Sequence, residues 1–455
     1  MKFILVLLVL TTLPLHSQSF TLPDLTSQAL ANGPMVRAQQ LETQLARVGV
    51  QQARSRFMPT ISGQVSGTLL ANPPEGVTLA QGSLGSVPAP GSTFPSPVPD
   101  TDLIVVPDPL NSFFQAKINL NQPIYTWGKL RDGLAASQIQ LSIYLLEQNK
   151  TQNHIIRDVR QAHSGFLMAQ EAAGILDQAL GLYREIEQDR RRSFEQGAIN
   201  REDLLSVQRQ LVEIESQALE ARYSVRTALE GLRVLTGIPA LEASHIAGTL
   251  PQPREPKQTT DELIALARQN NTDLTILQQR IEQARIGQSI QERTNTWRPD
   301  IALSVEMDVS GQRFPGIPNW IDYWDWGFNI TLGTRFSLYD GGAQSGKIQE
   351  SALQVQQVLQ GYEAYRSSLG LQIAQLHERQ FRSYRRYLNG QASRDLILEQ
   401  EKNARVSFEN DLITREQLLG AQLLVITNQL ELLSAAFEAE NAWSELTYLL
   451  SKDLE

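Results

Sequence analysis

The chain resembles itself at a fixed offset, and this limits the folds open to it more than any other feature. Ser193-Phe194-Glu195, Arg201-Glu202 and Leu204-Leu205 recur as Ser407-Phe408-Glu409, Arg415-Glu416 and Leu418-Leu419, an offset of 214 from 193 to 407. Upstream, Ile124-Tyr125 with Gly128 and Leu338-Tyr339 with Gly342 stand at the same offset, as 124 does to 338. A third pair of landmarks, Phe57-Met58-Pro59-Thr60-Ile61 and Trp297-Arg298-Pro299-Asp300-Ile301, stands 240 apart from 59 to 299, so the first copy holds 26 extra residues. These fall between Asn72 and Pro109, a stretch dense in Pro, Gly and Ser that reads as a long loop with little regular structure. Solenoid units repeat every ~20–50 residues, so the period indicates duplication of a whole half-protein. The Pro-rich segment from Pro239 to Pro256 joins the halves.

Each half carries a long helical signature. Leu204, Val207, Leu211, Ile214, Ala218, Ala221, Val225, Ala228, Leu232 and Leu235 follow a 3-4 spacing, the 3.5-residue period of coiled-coil packing. In the second half the same stripe is broken only by Asn428. The preceding helix repeats the pattern from Ile155 through Val159, Ala162, Phe166 and Ala169 to Tyr183. No proline interrupts residues 128–197; at about 1.5 Å per residue, a continuous helix there would reach roughly 100 Å. Alanines on the seam let helices approach closely, as in a wall where each helix has two neighbours; an antiparallel coiled-coil hairpin is the plainer alternative.

Each half also contains two runs of period 2, four in all, which read as β-strands. Ile61, Gly63, Val65, Gly67 and Leu69 alternate with Thr60, Ser62, Gln64, Ser66 and Thr68, and Phe114, Ala116, Ile118 and Leu120 alternate with Gln115, Lys117, Asn119 and Asn121. In the second half Leu303, Val305 and Met307 alternate with Ser304, Glu306 and Asp308, and Phe328, Ile330 and Leu332 with Asn329, Thr331 and Gly333. Soluble half-buried sheets alternate too. Two further features favour a membrane: each run has about the length a tilted strand needs to cross a bilayer, and aromatics gather at both ends. Trp320, Tyr323, Trp324 and Trp326 lie on the loop side, Tyr125, Trp127, Trp297 and Tyr339 on the helix side, as interfacial belts would. Four strands cannot close a barrel, and open edges are not tolerated in lipid, so chains must pool their strands. A dimer would supply eight and a trimer twelve.

Composition removes other classes. The chain has 40 Lys+Arg against 49 Asp+Glu, a formal charge of −9, so nucleic-acid binding through bulk charge is not expected. There is no cysteine, hence no disulfide, thiolate metal site, thiol nucleophile or lipid-modified N-terminal cysteine. The five histidines form no His-x-x-x-His pair, and no metal or cofactor is expected. Lys2, the apolar run Phe3–Leu15 and the small residues Ser17 and Ser19 read as a signal peptide over residues 1–19. Beyond it no stretch approaches ~18 consecutive apolar residues, so no membrane-spanning helix is expected. Gly341-Gly342-Ala343-Gln344-Ser345-Gly346-Lys347 has the spacing of a phosphate-binding loop, but Ile348 stands where a Mg²⁺-binding hydroxyl is needed. No catalytic motif or pocket-forming carboxylate pair appears, and the chain is not expected to be an enzyme.

On these residues the sequence resembles the TolC-like outer-membrane efflux proteins over essentially the whole mature chain. Family-like motifs occur in order: Ala29-Leu30-Ala31-Asn32-Gly33-Pro34, Gln122-Pro123-Ile124-Tyr125 with Gly128, Gly197 with Asp203-Leu204-Leu205, and Leu235-Thr236-Gly237-Ile238-Pro239. The resemblance implies a mixed fold, a long α-helical coiled-coil barrel plus a four-strand contribution per chain to a homotrimeric, 12-stranded transmembrane β-barrel. It implies one repeat over residues 20–240, with strands about 57–70 and 112–125, an extracellular loop about 71–111 and helices about 128–196 and 201–237. A linker over 241–260 leads to a second repeat over 261–455, with strands about 297–310 and 325–339 and helices about 342–410 and 415–451.

The function implied is an outer-membrane exit duct with a long periplasmic part. It would conduct substrate passively from a periplasmic adaptor (membrane fusion) protein and, through it, an inner-membrane pump. Gly197, Ala198 and Ile199 match one adaptor-docking helical tip, and Asp411, Leu412 and Ile413 the other, with Gly197 the turn residue that tolerates positive φ. The barrel lumen would take Gln64, Gln115, Asn119, Ser304, Asn329 and Thr331, and the apolar faces would meet lipid. One departure concerns the periplasmic aperture, where family members often carry acids: the matching positions here are Gln417 and Gly420, leaving Asp411, Glu409 or Glu416 as substitutes. Asp203 matches the family pattern and equally suits the first turn of a helix. The alternatives from other classes are a soluble periplasmic coiled-coil adaptor or scaffold, which would stay in the soluble fraction, and a periplasmic enzyme, which would need a pocket.

Overall fold

In the computed structural model the chain is described over residues 19–69, 71, 77–88, 91, 95–106, 112–294, 298–312, 320–336 and 338–452. Residues 1–18 of the expected signal peptide, Trp297, the side chain of Trp320 and parts of the expected loop at 71–111 lie outside the described residues.

The protein is mostly helical, with one four-stranded sheet. The first half runs α1 (Leu22–Asn32), α2 (Pro34–Ser55), β1 (Thr60–Leu69), four short strands, β6 (Ser112–Tyr125), α3 (Lys129–Glu195) and α4 (Arg201–Thr236). The second half runs α5 (Thr260–Asn270), α6 (Thr272–Arg293), β7 (Ile301–Gly311), β8 (Trp324–Thr334), α7 (Ala343–Glu409) and α8 (Arg415–Leu450). Matching helices have equal lengths: 11 residues in α1 and α5, 22 in α2 and α6, 67 in α3 and α7, and 36 in α4 and α8. The short strands correct the reading of 72–109 as nearly unstructured: β2 (Val77–Leu79) pairs with β5 (Leu103–Val106), and β3 (Ser86–Val87) with β4 (Ser96–Pro97).

The backbone turns at the same places in both halves. Left-handed φ values occur at Trp127 (56°) and Gly341 (69°), Gly128 (86°) and Gly342 (87°), Gly197 (72°) and Asp411 (56°), and Gly237 (68°) and Ser451 (49°). Each pair keeps the offset of the sequence repeat, as 197 does to 411. In three of the four, glycine in one half is replaced by a residue with a Cβ in the other, at a cost of about 1–2 kcal/mol for an unfavoured left-handed residue.

Two compact units divide the chain. One is helical and takes in residues up to Arg47, Ile139–Gln283 and from Gln354 onward; the other, Val48–Gln138 with Ala284–Leu353, carries the sheet. In the helical unit α3 has two buried seams. Ile155, Val159 and Phe166 pack with Leu25, Ala29 and Leu232 of α1 and α4, while Ala172, Ile175 and Ala179 pack with Ile426 and Leu433 of α8. Leu446, Leu449 and Leu450 of α8 then join Leu369 and Ile373 of α7 and Leu263 of α5. The lateral order is therefore α4, α3, α8, α7, a wall in which α3 and α8 each have two neighbours.

Helix α8 is long and apolar enough, by length and composition alone, to cross a membrane. Its apolar residues are instead shared between the seams with α3 and α7, and it carries the buried polar residues Asn428 and Glu440. Asn428, the one break in the stripe, donates its Nδ2 hydrogen to the Gly390 carbonyl of α7 at 3.1 Å. A Cβ at Gly390 would stand 2.9 Å from Leu432 Cδ2, so glycine lets the two helices meet where that bond forms.

Candidate functional site: a two-faced sheet and two helical tips

The sheet order is β1-β6-β7-β8, antiparallel throughout. Register fixes which residues share a face, because cross-strand partners point the same way. Gln64 pairs with Lys117 and Lys117 with Asp308; Asn119 pairs with Glu306 and Glu306 with Asn329; Ser304 pairs with Thr331, and Gln115 with Ser310. All six residues expected to line a lumen thus lie on one polar face. The same rows add Lys117, Asn121, Glu306, Asp308 and Asp325, which the alternation already implied once register was known. Lys117 Nζ lies 2.6 Å from Glu306 Oε1, and Asn119 donates to Glu306 Oε2 at 3.3 Å.

The opposite face carries Ile61, Val65, Ile118, Met307, Trp326, Phe328, Ile330 and Leu332, all exposed, with Val65 at 84% and Trp326 at 74%. A soluble protein rarely leaves so large an apolar surface uncovered. Aromatics stand at both strand ends. At the loop end the Trp324 ring stacks on Phe114 with centroids 6.5 Å apart, and Gly311 leaves room for it, since a Cβ there would fall 2.4 Å from the indole. At the helix end Tyr125 meets Trp127 edge to face at 5.0 Å, and Tyr339 is exposed.

The strand-to-helix junctions are held by polar contacts. Trp127 Nε1 donates to the Pro299 carbonyl at 2.9 Å, Arg293 donates to the Trp127 carbonyl at 3.0 Å and pairs with Asp132 at 3.2 Å, and Lys129 pairs with Asp300 at 2.7 Å. These partners are too far apart in sequence for spacing to reveal them. In the second half Asp340 accepts from the amides of Gly342 (3.0 Å) and Gln344 (2.9 Å). Those bonds, Gln344 first, hold its carboxyl below the usual range. The donors that a phosphate would require in Gly341–Lys347 are thus already occupied by the chain's own carboxylate. The two glycines serve the turn.

Both helical tips end in the same hydrogen-bond pattern. Ala198 N donates to Ser193 O and Leu412 N to Ser407 O, each at 2.8 Å, while Gly197 N donates to Phe194 O at 2.9 Å and Asp411 N to Phe408 O at 3.0 Å. This is a Schellman motif with its left-handed residue at Gly197 or Asp411. Ala198 and Leu412 are exposed, Leu412 at 75%, whereas Ile199 and Ile413 are half-buried. Asn200 and Thr414 then cap the next helices through the amides of Asp203 (2.9 Å) and Gln417 (3.3 Å).

The caps decide what the aperture candidates can do. Gln417 returns its Oε1 to the Thr414 amide at 2.9 Å, closing a capping box, so its side chain serves the helix start. Glu416 is paired with Arg190, and Arg415 binds Glu185 (2.6 Å) and Asp189 (3.5 Å) across the α3–α8 seam. Gly420 is exposed with open space where a Cβ would point. Asp203 is exposed, with its amide used by the cap. Nearby Glu187 accepts from Gln208 and Arg191, which lowers its carboxyl below the usual range.

The chain thus combines a four-stranded sheet, one face polar and the other apolar and exposed, with two 67-residue helices. Residues 25–238 match the sequence profile of the family described as outer membrane efflux protein. The solved structure of the CmeC outer membrane channel of Campylobacter jejuni superposes with a TM-score of 0.73 at 16% identity, covering 94% of this chain and 85% of that one. The outer membrane protein VceC of Vibrio cholerae gives 0.72 at 16%, covering 95% and 97%, and the MtrE outer membrane channel of Neisseria gonorrhoeae 0.69 at 15%, covering 95% and 89%. No curated protein shows significant similarity to the chain in sequence. The chain thus matches the outer membrane efflux protein family by sequence over residues 25–238, and its fold over nearly its whole length is that of the outer membrane channels above.

Proposed function

We propose that three copies pool their strands into a 12-stranded barrel, polar face inward, and that the helices form a periplasmic tunnel through which substrate passes without energy input from this chain. The observation that carries this reading is the sheet: among the described residues β1 and β8 each pair on one side only, and both faces are open in a single chain. Edges of that kind must be completed by other copies in a bilayer. Gln64, Gln115, Asn119, Ser304, Asn329 and Thr331 would then face water and Val65, Ile330 and Leu332 lipid, with Tyr125, Trp127, Trp324, Trp326 and Tyr339 at the two interfaces.

Docking of a periplasmic adaptor, linked to an inner-membrane pump, is assigned to the tips at Gly197, Ala198, Ile199, Asp411, Leu412 and Ile413. Asp203, Glu416, Gln417 and Gly420 are placed at the aperture. Residues 20–240 and 261–455 are read as copies of one ancestral unit joined by 241–260 and preceded by an export signal. The equal helix lengths and the four paired left-handed positions support that descent.

The test is the light-scattering mass of protein extracted from membranes, with detergent subtracted. A mass near three chains is expected. Two chains would mean eight strands and a different barrel, and a detergent-independent soluble monomer would overturn the duct in favour of a periplasmic scaffold.

A further inference from the structure

We infer that Arg298 and Arg335 form a basic band on the polar sheet face and favour anionic solutes at the helix end of the conduit; the inference rests on the conduit reading above. Both residues are in phase with that face: Arg298 precedes Asp300, Ala302 and Ser304 at intervals of two, and Arg335 follows Thr331 and Gly333 in the same way. They line one open recess with Asn121, Ser304 and Thr331.

The other charges of this recess are accounted for. Lys129 is paired with Asp300 at 2.7 Å, while Asp340 accepts from the amides of Gly342 and Gln344 and keeps its negative charge. Arg298 and Arg335 are both exposed, and among the described residues neither has an ion pair or hydrogen bond. Two guanidiniums per chain therefore stand against the single carboxylate of Asp340, which leaves the recess net positive. Three chains would place six in one belt, and rings of Arg or Lys are the side-chain device that selects anions in a pore.

Of the aperture residues proposed above, Asp203 alone keeps an exposed carboxylate without an ion pair among the described residues. At the aperture Glu416 is held by Arg190, Gln417 closes its helix cap and Gly420 has no side chain. Asp308 and Asp325, acids of the sheet without an ion pair among the described residues, belong to the loop end of the polar face, four to six rows away along the strands. The face is thus polarised along its length, basic where solute arrives and acidic where it leaves.

The experiment is the reversal potential of the full-length protein in planar bilayers under a KCl gradient, for wild type, R298Q/R335Q and D308N/D325N. The arginine double variant is expected to lower the anion-to-cation permeability ratio by about twofold or more, and the aspartate variant to raise it. The arginine effect should shrink in 1 M salt, where the screening length falls to ~3 Å. Normal conductance with an unchanged ratio in R298Q/R335Q would overturn the band while leaving the conduit intact. A wild-type protein that opens no conductance would sink the conduit itself, and the band with it.

Discussion

The helical unit and the sheet place their apolar residues in opposite situations. Phe166 and Leu232 are 0% exposed among neighbours from the same chain, whereas Val65 and Trp326 are 84% and 74% exposed. The seams of α3 and α8 can therefore be stabilised by one chain's own packing. The sheet cannot, because its apolar face is satisfied only by a surrounding it does not supply. Stability and assembly are separable in this molecule, and substitutions can be sorted by which of the two they reach.

The largest effect is expected in the helices. Phe166→Ala should cost about 3–5 kcal/mol through lost transfer energy and the cavity left between α3, α1 and α4. Denaturant unfolding followed by helical circular dichroism measures it; a cost below about 1 kcal/mol would show that this core is no tighter than the sheet. Next comes the sheet itself. Val65→Arg on the apolar face should cost about 2–4 kcal/mol at bilayer depth and deplete folded oligomer from membranes, while Gln64→Arg on the other face should leave it near wild type. Equal yields of the two variants would erase the distinction between the faces.

Smaller effects compare the halves. Gly197→Ala should destabilise by about 1 kcal/mol, since the space around it is open and only its left-handed φ opposes a Cβ, and Asp411→Gly should stabilise by a fraction of that. Thermal unfolding of the two single variants checks the opposite signs; shifts in the same direction would mean that the tips are not equivalent. The smallest concerns His163, buried on α3 with Nε2 3.3 Å from the Ala247 carbonyl. Burial lowers its pKa below 6.5, so the unfolded chain binds the proton more readily. Stability is complete above pH ~6.5 and is lost as pH falls from there toward the folded-state value. His163→Gln should flatten that part of a stability–pH curve, and an unchanged curve would assign the acid sensitivity elsewhere.

Much of this architecture was legible because its periods are unbroken. The 3.5-residue stripe from Leu204 to Leu235 is the face α4 turns to its neighbours, with Val207, Ala218 and Leu232 buried. The alternation around Gln64, Asn119, Ser304 and Asn329 carries those residues to one sheet face once register is fixed. Gly197 was legible as a turn by residue type, and Asp411 only through Gly197, its counterpart in the first half. What sequence missed is long-range or short in extent. The second seam of α3, through Ala172, Ile175 and Ala179, exists because α8 of the other half lies against it, and a single-helix pattern shows no such partner.

Strands β2 to β5 have two to four residues each and sit among turn formers, too short for a period to register. The Arg–Trp–Arg stack, with Arg254 3.6 Å and Arg160 4.6 Å from the Trp443 ring centroid, joins three distant segments. It lies beside Glu440, whose carboxyl is raised by burial against the pull of both arginines. Nothing local announces it. The candidate site was half legible in the same sense. The tip and polar-face positions follow from repeat and phase, but that Glu416 is paired and Gln417 tied into a cap is visible only when α3 lies alongside α8.

The unpaired outer sides of β1 and β8 also bear on the protein's life before it reaches its place. In the pooled barrel proposed above, the sheet would have no fixed folding free energy of its own; its completion would follow mass action and rise steeply with the amount of newly exported chain. The helices can be in order on a lone subunit while the strands wait. In a dilute population the slow event would be encounter, and a modest fall in synthesis would remove more than its share of finished channels.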